Sequence, residues 1–199
     1  MTISTNGRAI MVQNYDLDNA LETLRTGGLI LYPTDTVWSI GCDATNPRAV
    51  GRLRQLKKTD DALGIEVLVN SLDMLRRYVA HLHPRIETLL IYHLRPLTVL
   101  YEQGRNLPAD VLSGDGQVPI RLVQDEYCRH LISQLGRPLA AAAADLRQGY
   151  FPDSFGAISS DVIEQVDYVA RHRRSDKAPA RPSVVARLSV RDELEFLRD

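Results

Sequence analysis

Cysteine, lysine and long apolar runs are what this chain of 199 residues has little of. Cys42 and Cys128 are its two cysteines, and neither belongs to a C-x-x-C pair. That excludes a disulfide framework and leads us to expect two reduced, half-buried thiols in a cytosolic protein. No apolar run approaches the roughly 18 residues of a membrane span, and the stretch before Tyr15 lacks the apolar core of a signal peptide. A soluble cytoplasmic protein with no membrane partner is therefore expected. Of the 24 cations only three are lysines (Lys57, Lys58, Lys177), and 25 acids bring the net charge to −1. Nucleic-acid binding by composition alone is thereby excluded, so any such binding needs a local patch. His81-x-His83 and Cys128-x-His130 reproduce neither a zinc finger nor an H-E-x-x-H helix, and no metal site is expected. A G-x-x-x-x-G-K-[ST] loop is absent, and Gly114-Asp115-Gly116 lacks the third glycine of a dinucleotide fingerprint.

What is present is the composition of one compact domain over 1–199, with 44% apolar and 25% charged residues. At this length folding buries about 70% of the unfolded chain's surface, so neither metal nor disulfide is needed. Leu17, Ala20, Leu21 and Leu24 recur at helical spacing after Asp16, and Gly27-Gly28 ends the pattern, which predicts a helix over 16–26. Leu29 to Tyr32 reads as a buried strand ending at Pro33, with Pro33 to Thr36 a polar loop at its carboxyl end. Asn46-Pro47 starts a second helix whose apolar face is Val50, Leu53 and Leu56 and which runs to Lys58. An acidic loop over 59–64 precedes a strand over 65–69. Ser71 then caps a helix, and another helix follows Pro84. Further strands are expected over 97–101, 118–123, 139–143, 166–170 and 183–188, with a helix over 125–135 closed by Gly136. About seven strands interleaved with five or six helices predict an α/β fold, a twisted mixed sheet flanked by helices.

Two cationic stretches stand out. Arg48, Arg52, Arg54, Lys57 and Lys58 follow one another without an acid, and Arg171, Arg173, Arg174, Lys177 and Arg181 fill a polar segment before the last predicted strand. Cations in a last helical turn oppose the helix dipole, which is a sufficient structural reason for the first group. The functional alternative is a cationic wall facing a phosphate-bearing ligand or RNA, with the second stretch as its other side.

The run from Tyr32 to Asp43 (YPTDTVWSIGCD), followed by a helix ending in Leu56-Lys57-Lys58, resembles the signature of the YrdC domain family. The family pattern is close to P-T-[DE]-T-x-[YF]-G-[LV]-G-x-D, and here Trp38 and Ser39 depart from it. Weaker matches follow in order from about residue 15 to 190: Arg95-Pro-Leu-Thr-Val99, Val118-Pro-Ile-Arg121, Pro138-Leu139 and Pro182-Ser-Val-Val185. The resemblance implies a YrdC-like fold with a basic concave cavity. It also implies an L-threonylcarbamoyladenylate synthase, a nucleotidyltransferase joining L-threonine, bicarbonate or CO2 and ATP, with Mg2+, for tRNA modification. Carried over by position, Thr34 and Thr36 are the threonine-side hydroxyls. Lys57 is the first cation of the family's K-x-R, Arg121 is the strand arginine facing the nucleotide, and Ser183 is the late serine near the substrate. Where the family has K-x-R this chain reads Lys57-Lys58-Thr59, and its S-x-N reads Ala143-Ala144-Asp145. Lys58 replaces the fork of an arginine with a point charge, and Asp145 puts a carboxylate where an amide stood. A catalytically degenerate relative that binds double-stranded RNA, tRNA or nucleotide is the alternative, and the resemblance admits contacts with other tRNA-modification proteins.

Overall fold

The computed structural model describes residues 16–57, 65–112, 117–146, 150–176, 181–189 and 191–199. Helix α1 covers 16–25 and leads into β1 (Ile30–Pro33), a four-residue turn and β2 (Trp38–Asp43). Next come α2 (Pro47–Lys57), β3 (Glu66–Val69), α3 (Leu72–Tyr78), α4 (Pro84–Tyr92), β4 (Leu97–Tyr101) and β5 (Val118–Leu122). The chain continues through α5 (Glu126–Leu135), β6 (Leu139–Ala143), the single turn α6 (Ser160–Ile163), β7 (Tyr168–Val169), β8 (Val184–Leu188) and β9 (Leu194–Arg198). All strands join one mixed nine-stranded sheet in the order β7-β1-β2-β6-β3-β5-β4-β8-β9. Pairs β1/β7, β3/β5 and β4/β8 are parallel and the others antiparallel.

Local chemistry accounts for the helix ends. Asn46 Oδ1 accepts from the backbone N–H groups of Arg48 and Ala49 at the start of α2. The side chains of Ser71 and Asp125 do the same work for α3 and α5. Gly136 closes α5 in the left-handed region at φ 71°, where a β-carbon is unfavourable.

The sheet has nine strands where seven were expected. The two additions are β2 and β9, and each has a physical reason for escaping the pattern. β2 is buried on both faces, so its WSIGCD run shows no alternation, and two polar residues sit inside it. β9 is an edge strand, largely exposed and charged, and a bulge interrupts its pairing with β8 between Val185 and Ala186. Pro33 is the last residue of β1, opposite Trp38, and not the first beyond it. The cysteines are fully buried rather than half-buried, and burial pushes the Cys42 thiol up to about 12. The expected acidic loop over 59–64 lies outside the described residues.

Gly41 in β2 makes room for the Tyr32 ring. A β-carbon there would sit 2.6 Å from Tyr32 Cε1 and 2.9 Å from the Ala140 carbonyl oxygen. Neither neighbour can retreat, since Tyr32 is fully buried and Ala140 belongs to the next strand. Gly41→Ala is expected to cost about 1–3 kcal/mol through overpacking, read from urea midpoints. A variant within about 0.5 kcal/mol of the parent would show that the sheet relaxes there.

Candidate active site

The turn between β1 and β2 is built from its own hydroxyls. Thr34 Oγ1 lies 2.9 Å from Thr36 Oγ1 and donates to the Val37 carbonyl at 2.9 Å, while the Thr36 amide donates to Thr34 Oγ1 at 3.1 Å. Both threonines are buried. Ser39 Oγ donates to the Val37 carbonyl at 3.1 Å, and Trp38 packs its ring on Phe155 with centroids 5.2 Å apart. The side chains of this turn thus hold its shape.

Three distant segments reach this turn. β6 pairs with β2 so that Ala143 lies opposite Ser39. From the last residue of α2, Lys57 Nζ donates to the carbonyls of Ala143, at 2.8 Å, and Asp145. Its ammonium is therefore held at the carboxyl end of β6 and does more than face a helix dipole. Asp145 itself is buried. From β5, Arg121 donates through Nη1 to Asp35 in the turn. Its Nε and Nη2 reach Glu66 Oε2 of β3 at 3.0 and 2.9 Å. Asp35 Oδ2 also accepts from the Gln124 amide at 2.8 Å. The third segment is 171–174, where Arg173 Nη1 donates to the Thr34 carbonyl and to Asp125 at 3.1 and 3.2 Å.

Arg121 is only 1% exposed, and its charge is opposed by two carboxylates. Burial alone would raise the Glu66 carboxyl, but the Arg121 guanidinium and the Thr98 hydroxyl outweigh it and hold that carboxyl below its ordinary value. Beyond Glu66 the network continues to Thr98, opposite Arg121 in β4, and to Ser183 just before β8.

The segment 171–174 is anchored by Asp16, which is 2% exposed. Its carboxylate accepts from the Tyr168 and Tyr127 hydroxyls at 2.6 and 3.2 Å and from the Arg171 and His172 amides at 2.7 and 3.1 Å. Four donors on one buried carboxylate fix where Arg173 meets the turn.

The remaining sequence candidates sit elsewhere. Arg48 is exposed on α2. Arg52 pairs with Asp167 at 3.0 Å, and Arg54 donates to the Asp110 carbonyl at 2.8 Å. Arg174 donates to the carbonyls of Ala170 and Val169 and lies over the Phe155 ring. Of the second stretch, Arg173 is seen to reach the turn. Lys58, Thr59 and Lys177 lie outside the described residues. Asp35, Glu66, Thr98 and Arg198 were not among the sequence candidates. A lone acid in the apolar run I-E-V-L-V and a lone cation in V-P-I-R-L were the signal for the Glu66–Arg121 pair.

The Sua5/YciO/YrdC family model, described as telomere recombination, matches residues 22–199. The chain belongs to this family. Within it, a threonylcarbamoyl-AMP synthase of Xanthomonas euvesicatoria pv. vesicatoria (strain 85-10) is 32% identical over 162 residues, covering 80% of this chain and 87% of the relative. Among solved structures, E. coli YciO superposes with a TM-score of 0.80 at 20% identity, covering 94% of this chain and 89% of YciO. P. abyssi Sua5 complexed with L-threonine superposes with a TM-score of 0.78 at 22% identity, covering 92% of this chain and 53% of that one. This chain thus spans about half the length of the Sua5 chain. These likenesses establish a Sua5/YciO/YrdC fold.

Proposed function

We propose that this protein makes threonylcarbamoyl-AMP and pyrophosphate from L-threonine, CO2 or bicarbonate and ATP, for the threonylcarbamoyladenosine modification of tRNA. The observation that carries this reading is that Asp35–Arg121 and Arg173 meet at the Thr34–Thr36 turn, while Lys57 holds the end of β6 where Ala143 lies opposite Ser39. The synthase name of the Xanthomonas relative and the L-threonine complex of P. abyssi Sua5 support the substrate assignment.

The reaction asks for positioning and cations more than for a nucleophilic side chain. The amine of threonine adds to CO2 and loses a proton, giving a carbamate. A carbamate oxygen attacks the α-phosphorus of ATP as the bond from that phosphorus to the bridging oxygen breaks, and pyrophosphate leaves with its charge. In this reading Thr34 and Thr36 shape the threonine side, Ser183 lies near the substrate, and Arg121 faces the nucleotide. Lys57 serves the phosphates from the carboxyl end of β6. ATP enters as its magnesium complex, in which the phosphates supply ligands to the ion. Binding to double-stranded RNA finds less support, because Arg52, Arg54, Arg173 and Arg174 already serve carboxylates or carbonyls.

Purified protein with ATP, Mg2+, bicarbonate and L-threonine is expected to release pyrophosphate, with little release when threonine is left out. Restoring the family pattern with Ala143→Ser and Asp145→Asn is expected to raise turnover about tenfold, the worth of roughly one charge-assisted hydrogen bond. Absence of threonine-dependent release from both proteins overturns the synthase reading.

A further inference from the structure

A cavity of about 420 Å³ opens at the carboxyl ends of β4 and β8, the opposite end of those strands from Thr98 and Ser183. Ile86 of α4, Val99, Leu100 and Leu188 give it apolar walls. Its polar groups include Tyr101, Glu102, His83 and Asp192, and no described lysine or arginine lines it. These groups have hydrogen-bonding capacity to spare. Tyr101 is 7% exposed, and its hydroxyl meets no partner among the described residues. Burial pushes that phenol well above its ordinary range, so it keeps its proton. His83 caps α4 through Nδ1, which accepts from the Arg85 amide at 3.1 Å, so the neutral ring carries its proton on Nε2. That nitrogen lies 3.9 Å from Asp192 Oδ1, too far for a hydrogen bond. The Asp192 side chain is 67% exposed, yet its backbone is held, with Arg85 Nη1 donating to its carbonyl at 2.8 Å and its amide donating to the Ser189 carbonyl at 3.0 Å. Glu102 is exposed, and no described residue pairs with its carboxylate.

Two carboxylates without a fixed cation in the wall favour a ligand of positive charge. The charge is not that of a metal ion, because among the described residues no group of three or more His, Cys, Asp or Glu is placed to hold one. The walls ask for an apolar body, and a buried hydroxyl without a partner costs free energy that a polar ligand atom paired with it recovers. We propose that this cavity is a second binding site, separate from the turn and its network, for a small aliphatic amino alcohol. Its ammonium group lies against Asp192 and Glu102, its alkyl chain on Ile86, Val99 and Leu188, and its hydroxyl at Tyr101. The site stands whether or not the protein is a synthase, since none of these residues belongs to the proposed reaction.

The probe is aminobutanol with its amine and hydroxyl at opposite ends, compared with n-butylamine, which lacks the hydroxyl, and n-butanol, which lacks the charge. A ligand this small is expected to bind with a Kd of about 0.1–1 mM. Titration followed by NMR is expected to shift the ring protons of His81 and His83, which line the cavity, and to leave those of His93, His130 and His172 in place. Asp192→Asn keeps the fold, because Asp192 sits in the left-handed region at φ 58°, which asparagine also adopts. It is expected to weaken aminobutanol about tenfold and to leave n-butanol unchanged. Tyr101→Phe is expected to weaken aminobutanol about fivefold and n-butylamine not at all. Its urea midpoint should hold or rise, because the hydroxyl it removes has no partner to lose. Asp161→Asn, an exposed acid of α6 near the other edge of the sheet, is the control and should change nothing. No shift with aminobutanol up to about 20 mM, shifts spread over all five histidines, or equal binding of n-butanol overturns the site. So does an Asp192→Asn protein that binds as the parent does, or a Tyr101→Phe protein that weakens aminobutanol and n-butylamine alike.

Discussion

Replacing Arg121 with methionine is expected to lower the unfolding free energy by about 3–5 kcal/mol at pH 7. Methionine fills much of the space of the arginine stem, so the loss is electrostatic. It leaves Asp35 and Glu66, now without their cation, beside each other under the turn. A buried ion pair stabilises little over a well-packed apolar alternative, but removing one partner leaves the other charge desolvated and unopposed. Here two charges are left. The pH dependence gives the expectation its sign. In the parent the Glu66 carboxyl is held below its ordinary value, so its contribution is complete above the unfolded-state pKa and is lost as pH falls through the lower folded-state value. In the variant burial acts on Glu66 without the opposing guanidinium, which raises the carboxyl and makes the folded state gain as pH falls. The stability gap should therefore narrow between about pH 7 and pH 4. Urea midpoints of both proteins at several pH values in that range measure it, and a gap that stays constant or widens in acid would show that Arg121 acts through packing alone.

The same cluster marks where sequence reading stops. Helices α1, α2, α3 and α5 were legible because their apolar residues recur at 3.6-residue spacing between recognisable caps, Asn46, Ser71 and Asp125 among them. Strands β4 and β6 were legible as short apolar runs. β2 and β9 were not, since a strand buried on both faces and a charged edge strand both lack alternation. In the site, motif order brought out Thr34, Thr36, Lys57, Arg121 and Ser183. The partners that Arg121 and Ser183 meet, Asp35, Glu66, Thr98 and Arg198, depend on which strands are neighbours. The order β3-β5-β4-β8-β9 places Glu66, Arg121, Thr98, Ser183 and Arg198 in one band across the sheet, and no local pattern encodes that order. The partners of Arg52, Arg54 and Arg173, namely Asp167, Asp110 and Asp125, are likewise distant in the chain and are seen only in space.

Lys57→Met carries the largest effect on activity. The ammonium is fixed by two carbonyls at the end of β6, those of Ala143 and Asp145, so it is preorganised and does not swing from a helix end. In the proposed reaction negative charge gathers on the nonbridging oxygens and on the departing pyrophosphate, and a fixed cation costs no reorganisation at that moment. Losing one such donor is expected to lower threonine-dependent turnover by about 100- to 1,000-fold. Lys57 also ties α2 to β6, so its removal is expected to cost stability as well, about 1.5–3 kcal/mol for hydrogen bonds from a charged group. The two effects separate by temperature, because a well-folded fraction assayed far below its unfolding midpoint still lacks the cation. Lys57→Arg keeps the charge but presents a planar fork to two carbonyls spaced for a compact ammonium, and an intermediate rate is expected from it. The measurement is kcat and KM for ATP from pyrophosphate release in parent, Lys57→Met and Lys57→Arg. If Lys57→Met turns over within about threefold of the parent at saturating substrates, under 1 kcal/mol of barrier, the lysine is a tether between α2 and β6 and the phosphates are held elsewhere.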